Sequence, residues 1–311
     1  MSPPVELATP EALQAWVYEA CGEGSRCIAL LDPSRYPDAA ACAEALGMDA
    51  AELDALPNLY AKYAPSLRRI GPRLWSAPVG DARWAPVFRA ALESQAASFL
   101  VVPAGAGSLE QHLAGLIRMP QPDGSNLLFR FQDVVVMTAL APLLREGQHD
   151  ALLGPASYWR LVDLCRNAVS IESRGSPGLP RVRRTVLRLD QSQVAALGEA
   201  LVPLTIIFQA NETDATLLAG LDKCGQVRLI RERMRAARRH GLVREDDIAL
   251  YCVLSLQLPE GFDQDGPVAG ALEDARERRV SFGEAIDDVP VERWREWDEV
   301  LDAMDKKEQA R

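Results

Sequence analysis

The chain has 311 residues, with 34 Lys and Arg against 44 Asp and Glu, for a formal charge of −10. That length supports one large domain or two smaller ones, and 48% hydrophobic with 25% charged residues excludes a disordered chain. The acidic balance argues against a general nucleic-acid or anionic-membrane binder, which needs a basic face.

In chain order, Glu11 to Ala20 reads as a helix with Leu13, Trp16, Val17 and Ala20 at helical spacing. Thr9 is placed to cap it, with Pro10 at its first turn. Cys27 to Leu31 is a short apolar strand ended by Asp32-Pro33, and Leu67 to Trp75 is a second strand candidate interrupted by Gly71-Pro72. A helix over Ala85 to Ala97 leads into a strand over Ser98 to Val102. Ser108, with Gln111 three residues on, starts a helix faced by Leu109, Leu113, Leu116 and Ile117. Asn126 to Phe131 reads as a strand, and Asp133 caps a helix reaching about Arg145. Tyr158 to Asp163, Val169 to Ser173 and Val182 to Leu189 resemble short strands, either antiparallel additions to the sheet or a connector.

After Asp190 the strand signals stop. Asp190 caps a helix in which Pro203 marks a kink or an end. Asn211 to Leu221 reads as helical. Val227, Ile230, Met234 and Ala237 share a face of the next helix, which Gly241 ends. Helices starting at Asp246 or Asp247, over Pro267 to Val280 and over Val291 to Met304 follow. The expectation is an α/β N-terminal lobe, residues 1–185, with a largely parallel sheet, followed by an all-helical lobe, residues 186–311.

The chemistry-bearing patterns are sparse. No G-x-x-x-x-G-K-[ST], G-x-S-x-G or H-E-x-x-H occurs, and His112, His149 and His240 are scattered. Gly105 to Ser108 follows a strand and opens a helix, yet it lacks the third glycine and the acidic partner of a dinucleotide site. The six cysteines form no C-x-x-C pair and read as free thiols. No catalytic, cofactor-binding or metal-binding residue is expected. Arg228, Arg231, Arg235 and Arg238 fall at steps of three, four and three, one stripe on one helix. It is either a solvated face paired with the acidic C-terminal third or a docking stripe for an acidic partner. Trp294 and Trp297, three apart on the last helix, are core packing or an exposed partner anchor.

The segment Leu127 to Leu140 (LLFRFQDVVVMTAL), followed by Leu153 to Trp159 (LGPASYW), resembles the signature of the type VI secretion effector-adaptor chaperones, the Tap/Tec family. Ile28 to Ala39 (IALLDPSRYPDA) is similar to that family's first strand and its aspartate, and Ser98 to Ala104 keeps the order. Gln132 and Val134 depart from the family's usual aromatic and proline, and Asp32-Pro33 stands where a glycine is common. The resemblance implies a non-catalytic binding protein with two partners, a cognate toxic effector and the VgrG spike. Asp32, Arg130 and Asp133 match its motif positions and carry over as structural residues, Asp133 as a helix cap and Arg130 as a partner for a carboxylate.

A cytoplasmic location follows as an expectation. Met1 to Pro10 lacks a basic start before an apolar stretch, and no apolar run approaches the roughly 20 residues of a membrane crossing. The alternative function is an α/β enzyme using a crevice at the strand ends near Asp32, Gly105 to Ser108 and Asp133.

Overall fold

The computed structural model describes residues 5–173, 186–277 and 280–309; within the last helix, the side chains of 302 and 304–309 are outside the description. The chain forms two compact units, Met1–Ala200 and Leu201–Arg311.

The first unit opens with helix α1 (Pro10–Glu19), whose Ala12 amide donates to Thr9 Oγ1 at 3.2 Å. Strand β1 (Arg26–Leu31) then leads through helices α2 (Ala39–Leu46), α3 (Ala50–Ala55) and α4 (Pro65–Arg69) to strand β2 (Arg73–Trp75). Asp38 and Asp49 cap α2 and α3 through bonds from the Ala41 and Glu52 amides. The predicted strand over Leu67 to Trp75 is therefore only its last three residues, because Pro65 starts a helical turn that Gly71-Pro72 ends.

Helix α5 (Trp84–Glu93) and strand β3 (Ala97–Val102) follow, then α6 (Leu109–Leu116), β4 (Arg118–Pro120) and β5 (Asn126–Leu128). Next come α7 (Val134–Leu140), α8 (Glu146–Leu153), β6 (Tyr158–Val162) and β7 (Ala168–Glu172). Asn126 to Phe131 does not join the main sheet. Its first three residues pair with β4 alone, in a two-stranded hairpin. The helix predicted to run to Arg145 breaks at Pro142 into a 3-10 turn over Ala141–Leu143.

The main sheet runs β2-β1-β3-β6-β7, and every neighbouring pair in it is antiparallel. This corrects the largely parallel sheet expected from the strand-helix alternation. Five of six residues in β1 and all six in β3 are buried. A strand covered on both faces reads as a continuous apolar run in either orientation, so the sequence pattern does not carry direction. Cys27, Ala29 and Leu31 of β1 and Ala97 and Phe99 of β3 join Leu13, Val17, Leu46, Trp84 and Phe88 in one core layer. The intervening positions face the other way, where Trp159 Nε1 donates to Ser98 Oγ at 2.9 Å and meets Phe131 edge-on. Each fully buried Leu or Phe contributes roughly 1.5–3 kcal/mol. At the β7 edge, Leu7 donates to Arg166 O and Ala168 donates to Val5 O, so the early chain covers it.

Helix α9 (Gln191–Thr213) runs through Pro203, and the boundary between the units falls inside it. The helix has 23 residues, and an 18-residue window within it has a mean hydropathy of 1.4, which reaches what a membrane crossing requires by length and composition, with 33% of that window buried. Val202 and Ile206 flank Pro203 in the core of the second unit, and that packing offsets the roughly 3 kcal/mol cost of an interior proline. Asn211 to Leu221 is not a separate helix; α9 ends at Thr213 and turns follow. Of the predicted strand Val182 to Leu189, residues 182–185 lie outside the described residues and 186–189 form no strand.

The second unit continues with α10 (Lys223–Arg239), α11 (Glu245–Gln257), α12 (Gly266–Arg276), α13 (Phe282–Ile286) and α14 (Val291–Gln309). Ile230, Met234 and Ala237 of α10 pack in one core with Ile248, Tyr251, Cys252 and Phe282. Gly241, at φ +88°, follows α10, and the Leu242 amide reaches back to Ala237 O at 3.2 Å. Helix α11 begins at Glu245, one residue ahead of the predicted start. Its Asp247 is instead buried, accepting the Phe282 amide at 2.9 Å with Arg244 at 3.8 Å.

Candidate functional site

Asp32 closes β1 and is 1% exposed. Its amide donates to Ala96 O, which ties it to the start of β3. Its Oδ1 accepts both the Ser34 amide at 3.1 Å and the Ser34 hydroxyl at 2.6 Å, capping the 3-10 turn Pro33–Arg35. That turn aims Arg35 back across the carboxylate, with Nε 3.5 Å from Asp32 Oδ2.

The second half of the site arrives about a hundred residues later. Asp133 caps α7, accepting the Val135 amide at 3.0 Å, and the same oxygen accepts from Arg35 Nη2. The Asp133 amide donates to Arg130 O, a tight turn that brings Arg130 over the same spot. Arg130 Nη2 donates to Ser34 Oγ at 3.0 Å, and lies 4.0 Å from Asp32 and 3.8 Å from Asp133. Two carboxylates and two guanidiniums thus alternate, with Ser34 between Asp32 and Arg130. Gln132 sits beneath and donates to Tyr60 OH at 3.3 Å.

The charges of this network balance, but burial grades them. Burial pushes the Asp32 carboxyl above the usual carboxylate range, against the Ser34 hydrogen bond and the fields of Arg35 and Arg130. Asp32 Oδ2, Arg35 Nε and Gln132 Oε1 have no hydrogen-bond partner among the described residues, so charge alone holds the first two together. The Arg130 side chain, 45% exposed, is the part of the network a partner could touch. Arg130, Asp32 and Asp133, singled out from the sequence, are therefore brought together. Arg35 and Ser34 were missed; the D-P-S-R run after an apolar strand, a cap followed by a cation three residues from it, is the signal that could have found them.

Of the residues of the enzyme alternative, Asp32 and Asp133 meet, but Gly105–Ser108 lies apart from them. Because β1 and β3 are antiparallel, Asp32 lies beside Ala96 while Val102, which leads to Gly105–Ser108, lies beside Arg26. Six residues of strand, roughly 20 Å, separate the two ends. Ser108 caps α6 through the Gln111 amide at 3.2 Å and borders a cavity of about 280 Å³ with Gln111, His112, Leu116, Met119 and Leu187. His112 Nε2 lies 2.9 Å from Leu152 O, and burial lowers its pKa. Among the described residues no group of three His, Cys, Asp or Glu is placed to hold a metal.

In the second unit, Arg228, Arg231, Arg235 and Arg238 are all exposed on α10. Trp297 is 5% exposed and sits in the core, and Trp294 packs on it with ring centroids 5.2 Å apart. The pair serves packing, and Trp297 offers no exposed anchor. Arg293 lies over the Trp297 ring at 5.3 Å. Cys21, Cys27, Cys42 and Cys252 are free thiols, as expected. Cys165 and Cys224 are not among the free thiols, against the expectation for all six.

A family model described as a domain of unknown function, DUF4123, matches residues 27–151. The matched stretch begins in β1 and ends in α8, and it contains every member of the Asp32–Arg35–Arg130–Asp133 network. No curated protein and no solved structure matches the chain.

Proposed function

We propose that this protein is an adaptor that holds a type VI secretion effector in the cytoplasm and loads it onto a VgrG-type spike. The observation that carries the reading is the union of its motif residues. Asp32, Arg130 and Asp133, the positions on which the resemblance rests, form one network inside the DUF4123 match. Each carboxylate there faces a guanidinium, so the network's work is to lock the turn after β1 to the start of α7. What it offers outward is a cation on a rigid base, the kind of feature that binds rather than reacts.

The test is a pull-down of the tagged full chain from its native host, with bound proteins identified by mass spectrometry. Recovery of a spike protein together with one large toxin is the expected result. Recovery of neither, from cells shown to express both, overturns the reading.

A further inference from the structure

Helix α10 carries seven cations, Lys223 and six arginines, against the single carboxylate Glu232. The rest of residues 201–311 carries nine cations against 22 carboxylates. One strongly basic helix therefore stands in an otherwise acidic unit. Its buried residues Val227, Ile230, Met234 and Ala237 face the core. At 100° per residue, Arg228, Arg231, Arg235 and Arg238 fall within an arc of about 80° beside that face, over about 15 Å of helix. Arg228, Arg231 and Arg235 are exposed, and no described carboxylate lies within ion-pairing distance of any of them. The Arg235 Nε donates to Arg231 O at 3.3 Å, which holds that side chain along the helix surface.

Like charges three and four residues apart repel and cost stability in an isolated helix. Among Arg228, Arg231 and Arg235 the repulsion goes unanswered by the described carboxylates, although the unit has carboxylates to spare. We propose that the Arg228–Arg231–Arg235 face of α10 docks an acidic helical segment of a partner protein, one that presents carboxylates at the same three-and-four spacing. Two features select such a segment over an extended polyanion. The three-arginine face is only about 10 Å long, and a nucleic acid or an anionic membrane would extend past it onto a unit whose remaining charge is strongly negative. Guanidinium forks also match single carboxylates in bidentate geometry. The inference names a partner chemistry for the adaptor proposed above and rests on its being a binding protein.

The experiment uses the full chain and a fluorescent Ala-based helical peptide of about 18 residues. Its glutamates stand at steps of three and four; an isomer of identical composition spreads them around the helix. Anisotropy titrations at about 50 and 200 mM salt read the affinity. The striped peptide should bind more tightly than its isomer, weaken with salt, and lose about tenfold in affinity on R231E/R235E. R231Q/R235Q should lose less, and the R231E/R235E protein should instead bind the same peptide with Lys in place of Glu. Both substituted arginines are exposed, so melting curves of the variants should match the parent. Equal binding of the two isomers, or indifference to charge reversal, overturns the inference. So does tighter binding of duplex DNA or phosphatidylserine vesicles than of the striped peptide. If the peptide fails while spike and toxin are still recovered with the chain, the stripe falls and the adaptor reading stands; if the peptide binds while neither is recovered, the adaptor reading falls.

Discussion

Asp32 is the residue on which the first unit turns. It caps a 3-10 turn, answers two arginines and is sealed from water. Burial raises its carboxyl, and this sets the sign of its pH dependence. The folded state holds the proton to a higher pH than the unfolded chain, so stability from this group is full in acid and falls as pH rises from about 4 through the raised value. Asp32→Asn should therefore cost about 1–2 kcal/mol at neutral pH, and its deficit against the parent should narrow as pH rises across that window. Paired denaturant titrations at several pH values read this; a widening gap would mean the arginines outweigh burial. The role of Asp133 was legible in the sequence, since a cap before an apolar run is a local pattern, whereas that of Arg130 came with the family resemblance. That both reach Asp32 was not legible, because a contact across about a hundred residues leaves no spacing to read.

At the level of elements, α6 and α8 meet through a glycine. Gly154 ends α8 at φ 56° and ψ −115°, a conformation open to glycine alone, and a Cβ there would stand 2.4 Å from the His112 ring. Gly154→Ala should lose about 2–4 kcal/mol. Adding His112→Ala should return only part of it, because the clash is relieved and the backbone strain is not; chemical denaturation of the single and double variants separates the two. Helix α1, with its Thr9 cap and its apolar face, was legible within a residue of each end. The short helices α2, α3, α8 and α13 were not, since five to eight residues give too few turns for a period to show. The sheet's direction escaped because β2 returns beside β1 and β3 returns on its other side, a connectivity fixed by pairing and invisible to composition.

At the scale of the whole molecule, each unit has its own cooperative packing to lose. Phe282→Ala, at a fully buried site in the second unit, should cost about 3–5 kcal/mol there. Hydrogen exchange should then quicken across α10, α11 and α13 while β1 and β3 keep their protection; uniform loss would instead make the chain one cooperative body. The sequence carried the order of an α/β region followed by helices, because the switch from strand-like runs to helical faces is sharp. It did not carry the boundary inside α9, where one uninterrupted helix gives no change of composition to mark it. The Ser34 hydroxyl has a consequence at this scale. It donates to buried Asp32 and accepts from exposed Arg130, so the surface cation and the sealed carboxyl share one atom. An anionic group arriving at Arg130 would cancel part of the positive field that steadies the Asp32 carboxylate, and the carboxyl would take up a proton. Docking there should then draw protons from solution below neutral pH. Calorimetry in buffers of differing ionisation heat would read it as a buffer-dependent enthalpy that Asp32→Asn abolishes, making the interior a recorder of what touches the outside.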